Sequence, residues 1–188
     1  MPRYNNINTQ SRVSNPTSDI FADQTADGGI YSFGNYYTWS AALANTIAYA
    51  GPDSIDANNN TSETANTSIC PSGWRIPYGR GTGNGLLPGG FYNLNYVLNN
   101  NSNATDSTAE MKLTAFPNNF IRAGWISAST IYRRGRVASY WSSSAYKTSV
   151  VQYWSAYYLS IGSSPNVLPG TETGWKYNGL SIRCVTVY

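Results

Sequence analysis

A chain of 188 residues with 6 Trp and 16 Tyr can bury a core of its own, which argues for one folded domain and against disorder. Its 11% of charged residues and formal net charge of +3 do not make a nucleic-acid-binding surface, the only local cluster being Arg133, Arg134 and Arg136. With no His, a Ser-His-Asp triad, His-ligated zinc and His general-base chemistry are excluded.

In chain order, residues 1–27 are polar and irregular and read as an arm or frayed terminus preceding a domain over 28–188. GGIYSFGNYY, Gly28 to Tyr37, reads as a short strand and turn. TWSAALANTIAYA then places Trp39, Ala42, Leu43, Thr46, Ile47 and Ala50 at helical spacing, with a stop at Gly51-Pro52. A polar loop, DSIDANNNTSETANTS, follows. Phe91, Leu94, Val97 and Leu98 predict a second short helix over FYNLNYVLNN, and Ser107 with Glu110 forms a capping box for a third, ending near Leu113. From Asn119 the pattern changes to short strands between Gly, Ser, Asn and Pro clusters: NFIRAGWI, ASYWSSS, VVQYWSAYYLSI and GLSIRCVTV. Helices early and strands late predict an α+β domain with an antiparallel sheet.

The nine acidic residues are scattered, with no recognisable catalytic spacing. Cys70 and Cys184 are too few for a thiolate metal site. They either pair across a long loop or remain buried thiols, and pairing is expected if the protein works outside a reducing compartment. No stretch approaches the ~20 apolar residues of a membrane span, so no membrane insertion is expected. The opening MPRYNNINTQSRVSNP lacks a signal peptide's apolar centre, so either the protein is not exported by that route or the chain has been trimmed. Asn60, Asn66, Asn100 and Asn103 stand in N-x-S/T sequons, which an Asn-rich chain makes by chance.

Three landmarks occur in order: Gly34-Asn35-Tyr36-Tyr37-Thr38-Trp39-Ser40-Ala41-Ala42, then Ile69-Cys70-Pro71-Ser72-Gly73-Trp74-Arg75-Ile76-Pro77, then Tyr140-Trp141-Ser142-Ser143-Ser144. The chain closes on Gly179-Leu180-Ser181-Ile182-Arg183-Cys184-Val185. Together they resemble the Fibrobacter succinogenes major paralogous domain family, a branch of the C-type lectin-like folds that includes the formylglycine-generating-enzyme-like domains. The resemblance covers roughly Gly28 to Val185 and implies two main helices around a twisted antiparallel sheet, with neighbouring termini. It departs after Pro77, where YGRGTGNGLLPGG replaces the family's acidic-Trp helix start. Trp39, Trp74 and Trp141 read as core anchors. Arg183 and Arg75 read as structural, lying near each other or near a backbone-carbonyl turn.

The resemblance also implies a use. Variable proteins of diversity-generating retroelements carry a mutable C-terminal segment on such scaffolds, and the segment over about 122–185 is similar to theirs. RAG, RRG, YWSS, A-Y-x-L, a Pro and G-x-S-x-R-C-V look like a fixed frame. Between them stand the candidate ligand-binding positions: Trp125, Ser127, Tyr132, Arg136, Tyr146, Thr148, Tyr153, Trp154, Tyr158, Ser160, Gly162, Asn166, Leu168, Gly170, Thr171, Thr173 and Asn178. In SVVQYWSAYYLSIG the residues alternate: Tyr157, Leu159 and Ile161 are expected to face the core, and Trp154, Tyr158 and Ser160 to face out. A surface rich in Tyr, Ser, Asn and Gly suits an antibody-like recognition site.

The function expected is therefore a non-enzymatic display protein at a cell or virion surface, binding a protein or glycan of another cell or virus. No cofactor or metal is expected. Cys70 and Cys184 lie in segments that read as structural, which leaves cysteine oxidation with little support. Ser164-Pro165-Asn166 faintly resembles a lectin calcium loop, but only Glu172 is near it, and calcium needs several oxygen ligands. An invariant surface adhesin or glycan-binding domain is the competing expectation.

Overall fold

The computed structural model describes residues 12–13, 35–44, 68–79, 88–146, 155–162 and 166–186. In chain order its elements are β1 (Arg12–Val13), β2 (Tyr36–Tyr37), α1 (Trp39–Ala42), β3 (Trp74–Arg75), α2 (Phe91–Leu98) and α3 (Ser107–Thr114). There follow β4 (Trp125–Ser127), β5 (Thr130–Tyr132), β6 (Ala138–Tyr146), β7 (Ser155–Ile161), β8 (Val167–Trp175) and β9 (Val185–Thr186). The fold is α+β, with few helices and antiparallel sheets. No helix among the described residues is long and apolar enough to cross a membrane.

The helices begin where the sequence supplies a cap. Thr38 Oγ1 accepts from the Ala41 amide at 3.4 Å and opens α1. The helix gives way to a turn at Leu43, with Ala44 in the left-handed region at φ 51°, well short of the expected Gly51. The remainder of that prediction lies outside the described residues. α2 follows the expected span. At α3 the cap lies one residue earlier than expected: Asp106 Oδ1 accepts from the Ala109 amide at 3.0 Å. Glu110 is not a capping-box partner, because it pairs with Arg122 and ties α3 to the approach to β4. Within the polar arm, Arg12–Val13 is not frayed but pairs with β2.

β6, β7 and β8 form the central sheet, with Tyr140 opposite Leu159, Trp141 opposite Tyr158 and Tyr158 opposite Glu172. On the outer side of β6 runs the Gly179–Ser181 stretch, where the Trp141 amide donates to Ser181 O at 3.0 Å and the Ser181 amide to Ser139 O at 3.1 Å. Leu180 in turn exchanges both backbone bonds with Tyr37. The predicted strands over NFIRAGWI and GLSIRCVTV are thus realised only in part, and VLPGTETGW forms β8, which the sequence reading missed.

Both faces of this sheet are buried. On one, Trp141, Ala145 and Ala156 pack with Trp39, Ala42, Leu43, Cys70, Ile76 and Leu180. On the other, Ala138, Tyr140, Leu159, Ile161 and Val167 meet Phe91, Ala109, Leu113 and Phe120. A large apolar side chain taken from water contributes about 1.5–3 kcal/mol, against about 0.5–1.5 kcal/mol net for a hydrogen bond. The two cores therefore hold the layers together, and hydrogen bonds set their register.

The landmark segments meet in the first core. Trp39 Nε1 donates to Ser142 O at 2.9 Å, while Trp141 Nε1 donates to Tyr37 O at 2.8 Å. Four β6 residues, Ala145 back to Ser142, advance against only two of β7, a bulge that buries three serines. Each serine is used: Ser142 Oγ donates to Tyr157 O at 2.7 Å, the Ser143 amide donates to Pro77 O at 2.9 Å, and Ser144 Oγ accepts from the Gly79 amide at 3.0 Å. YWSSS thus pins the CPSGWRIPYG segment to the sheet.

Cys70 and Cys184 form a disulfide, with Cα atoms 5.8 Å apart and a sequence separation of 114. It lies beside the β3–β9 ladder. Trp74 departs from expectation. At 46% exposed it is no core anchor, because β3 pairs with β9 outside the central sheet, and Ile76 is the residue sealed in the core. Trp39 and Trp141 are buried as expected. Arg75 donates to Pro88 O at 2.9 Å and stacks on Tyr78, and Arg183 lies over the Phe120 ring at 5.0 Å.

Candidate ligand-binding surface

β4 and β5 form a hairpin whose two sides differ. Ile126 and Ile131 pair across it and pack with Tyr36 and Ala123 in a small third core. Trp125 and Tyr132 also face each other in register, and their rings stack at 5.7 Å with 19° between planes. Such a cross-strand pair contributes about 0.2–1 kcal/mol, yet Tyr132 remains 43% exposed. This hairpin has the inward–outward division that the sequence predicts for the later strand.

From Tyr132 the chain enters a turn that carries the arginines. Arg133 takes a left-handed conformation at φ 53°, and its carbonyl accepts from the Arg136 and Val137 amides at 3.1 and 3.0 Å. The Gly135 amide donates to Arg122 O at 2.8 Å, which fixes the turn from its other side. The Arg133 guanidinium sits 5.7 Å from the Trp125 ring centroid. Arg136 is exposed.

Tyr158, on β7, packs against the same core as Trp125. Its ring meets Trp141 edge-on at 6.0 Å and packs against the first core. Burial, and secondarily the Glu172 carboxylate opposite it, push its phenol well above the usual tyrosine range, with Arg133 acting in the opposite direction. The phenol thus lies where a cation and a carboxylate both reach it.

A second cluster occupies the far end of the sheet. Ser155 lies between Tyr146 and Trp175 in register, and Tyr157 opposes Thr173 on the same side. Tyr146 meets Tyr157 edge-on at 5.2 Å. Trp175 and Tyr177 stack with 9° between planes and are 49% and 50% exposed. Lys176 between them turns the other way and is buried, its ammonium 4.4 Å from the Trp39 ring.

Several predicted positions do not belong to a surface. Ser160 is only 3% exposed, because the side of β7 that carries Ala156, Tyr158 and Ser160 is covered rather than free. Tyr158 is half-buried for the same reason. Gly162, at φ 90°, would bring a Cβ to 2.3 Å from Arg136 O. Gly170, at φ 72°, is buried in the β8 bulge, where a Cβ would lie 3.0 Å from Gly79 Cα. Both glycines are structural. Asn178 is half-buried, its amide donates to Trp175 O, and its Oδ1 has no partner among the described residues. Ser127, Asn166, Leu168, Thr171 and Thr173 are half-exposed. Thr148, Tyr153 and Trp154 lie outside the described residues.

Sequence reasoning passed over Arg133, Glu172, Trp175 and Tyr177. The last two alternate around Lys176 in GWKYN, a period-two signal that was available. Arg133 reads as frame in the Arg cluster, and only the register of β8 reveals Glu172 beside Tyr158. Among the described residues no three Cys, Asp or Glu side chains converge, so the arrangement offers ring contact and charge rather than a ligand set for a metal. No protein-family model matches the chain, and neither does a curated protein or a solved structure.

Proposed function

We propose that this chain is a non-enzymatic ligand-binding display protein on a C-type lectin-like scaffold of the Fibrobacter succinogenes major paralogous domain kind. Its segment over about 122–185 is diversified by a retroelement, and it recognises macromolecules from a cell or virion surface. The observation that carries this reading is the Trp125–Tyr132 stack, in which an exposed Tyr132 ring is held in order by Trp125, itself partly buried against the first core. Aromatic contact surface that is already ordered costs little conformational entropy on binding, and Tyr and Trp dominate such sites. The disulfide between Cys70 and Cys184, beside the β3–β9 ladder, supports a structural use of both cysteines.

The test is the neighbouring DNA. The reading expects a near-copy of the codons for roughly Arg122 to Val185, differing at template adenines and adjacent to a reverse-transcriptase gene. Differences should fall on the Trp125, Tyr132, Tyr146 and Thr173 codons and spare those of Ser160, Gly162 and Gly170. A second reading, an invariant surface adhesin or glycan-binding domain, is favoured by the burial of Ser160 and Gly170 and the close backbone contact at Gly162 within the segment. Absence of any such copy would select it.

A further inference from the structure

We propose that the Arg133–Arg136 turn and the Trp125–Tyr132 stack together dock an acidic segment of a partner protein, one that sets Asp or Glu side chains beside an apolar or aromatic residue. This deepens the display reading and rests on it.

The turn is the strongest local concentration of charge in the chain. Its backbone is held by the Arg136, Val137 and Gly135 amide bonds, so its side chains leave from fixed points. Nearby Arg122 is committed to Glu110, whereas Arg133 and Arg136 have no ion-pair partner among the described residues. Arg136 is exposed, and Arg133 is exposed while its guanidinium lies close to the Trp125 ring. A guanidinium held near an aromatic face keeps its hydrogen-bonding edge free for a carboxylate, to which its planar fork is matched in two-point contact. The half-exposed Tyr132 ring next to it supplies apolar contact for the residue that follows.

The charge pattern favours a protein over a nucleic acid. Duplex recognition by charge draws on roughly 6–10 phosphate contacts, and this turn offers far fewer cations. Glu172, which acts on the same Tyr158 phenol as Arg133, would repel a continuous phosphate backbone. A protein segment with separated carboxylates can meet Arg133 and Arg136 and avoid Glu172.

The experiment is selection of a random peptide library on phage against the full chain, followed by binding of a synthetic copy of an enriched peptide. Enriched peptides should carry an excess of Asp and Glu next to an aromatic or apolar residue. Binding should weaken about tenfold in Arg133→Gln and in Arg136→Gln and fall as salt rises. Because these side chains are exposed, unchanged thermal transitions will show that the variants fold. Enriched peptides without acidic excess, no enrichment over bare matrix, indifference to both Arg substitutions, or tighter binding of a single-stranded DNA oligonucleotide would each overturn the proposal. The display reading fails separately, through the neighbouring DNA. Peptides that lack acidic residues but are lost on Trp125→Ala would leave that reading standing and remove only this inference.

Discussion

β7 and the β4–β5 hairpin look alike as sequence. Each alternates, each is rich in aromatic residues, and each lies within the segment that the resemblance marks as changeable. In the folded chain they differ. β7 is the middle strand of the central sheet, with the first core on one side and the second on the other, so Leu159 and Ser160 are equally enclosed. The hairpin is sealed on one side through Ile126 and Ile131, while on its other side Trp125 is only partly buried against the first core and Tyr132 borders solvent. Alternation tells which residues share a side. What covers each side is decided by strand order, which depends on contacts far apart in the chain.

This contrast can be broken by experiment. The largest effect is expected where both regions depend on the same closure: replacing Cys70 and Cys184 by Ser should lower unfolding free energy by about 4–5 kcal/mol, from the loop length that the bond closes. Denaturant titration reads it. Next, Trp141→Ala should cost about 4 kcal/mol, since the indole is fully buried and donates to Tyr37 O. Ser160→Tyr should cost about 2 kcal/mol through overpacking, although a freely exchangeable position would accept it without loss. Tyr158 gives a pH signature. Its folded phenol titrates above the ordinary value of 10.0, so the unfolded chain loses its proton first as pH rises. Its contribution is whole below that value and is lost as pH climbs past it, and Tyr158→Phe should reduce the alkaline slope of stability. The smallest effect is expected at the hairpin: Tyr132→Ala should change stability by no more than about 1 kcal/mol while weakening any selected ligand.

How much was legible in advance follows the same physics. α2 was readable because Phe91, Leu94 and Leu98 repeat at helical spacing with Gly90 before them. β6 was readable because ASYWSSS has the alternation and composition of a strand, though not its bulge. β8 was missed because Pro169 and Gly170 argue against a strand by propensity. A bulge accommodates them there, between the Leu168–Ser160 and Glu172–Tyr158 pairs of β8 and β7. Trp74 was misjudged because aromatic size suggests burial, whereas β3 belongs to a ladder outside the central sheet. At the binding surface, Trp125 and Tyr132 were named from the sequence, but their contact depends on the register of the hairpin. Of the charges near them, Glu172 is set opposite Tyr158 only by the register of β7 and β8.

The most direct test is to substitute every position of residues 122–185 with all amino acids and score folding by protease resistance. Tolerance should be broad at Tyr132, Trp175 and Tyr177 and narrow at Leu159, Ser160, Gly162 and Gly170. If Ser160 accepts large and charged side chains as readily as Tyr132 does, the enclosed strand and the open hairpin are not the distinct regions described, and the account is contradicted.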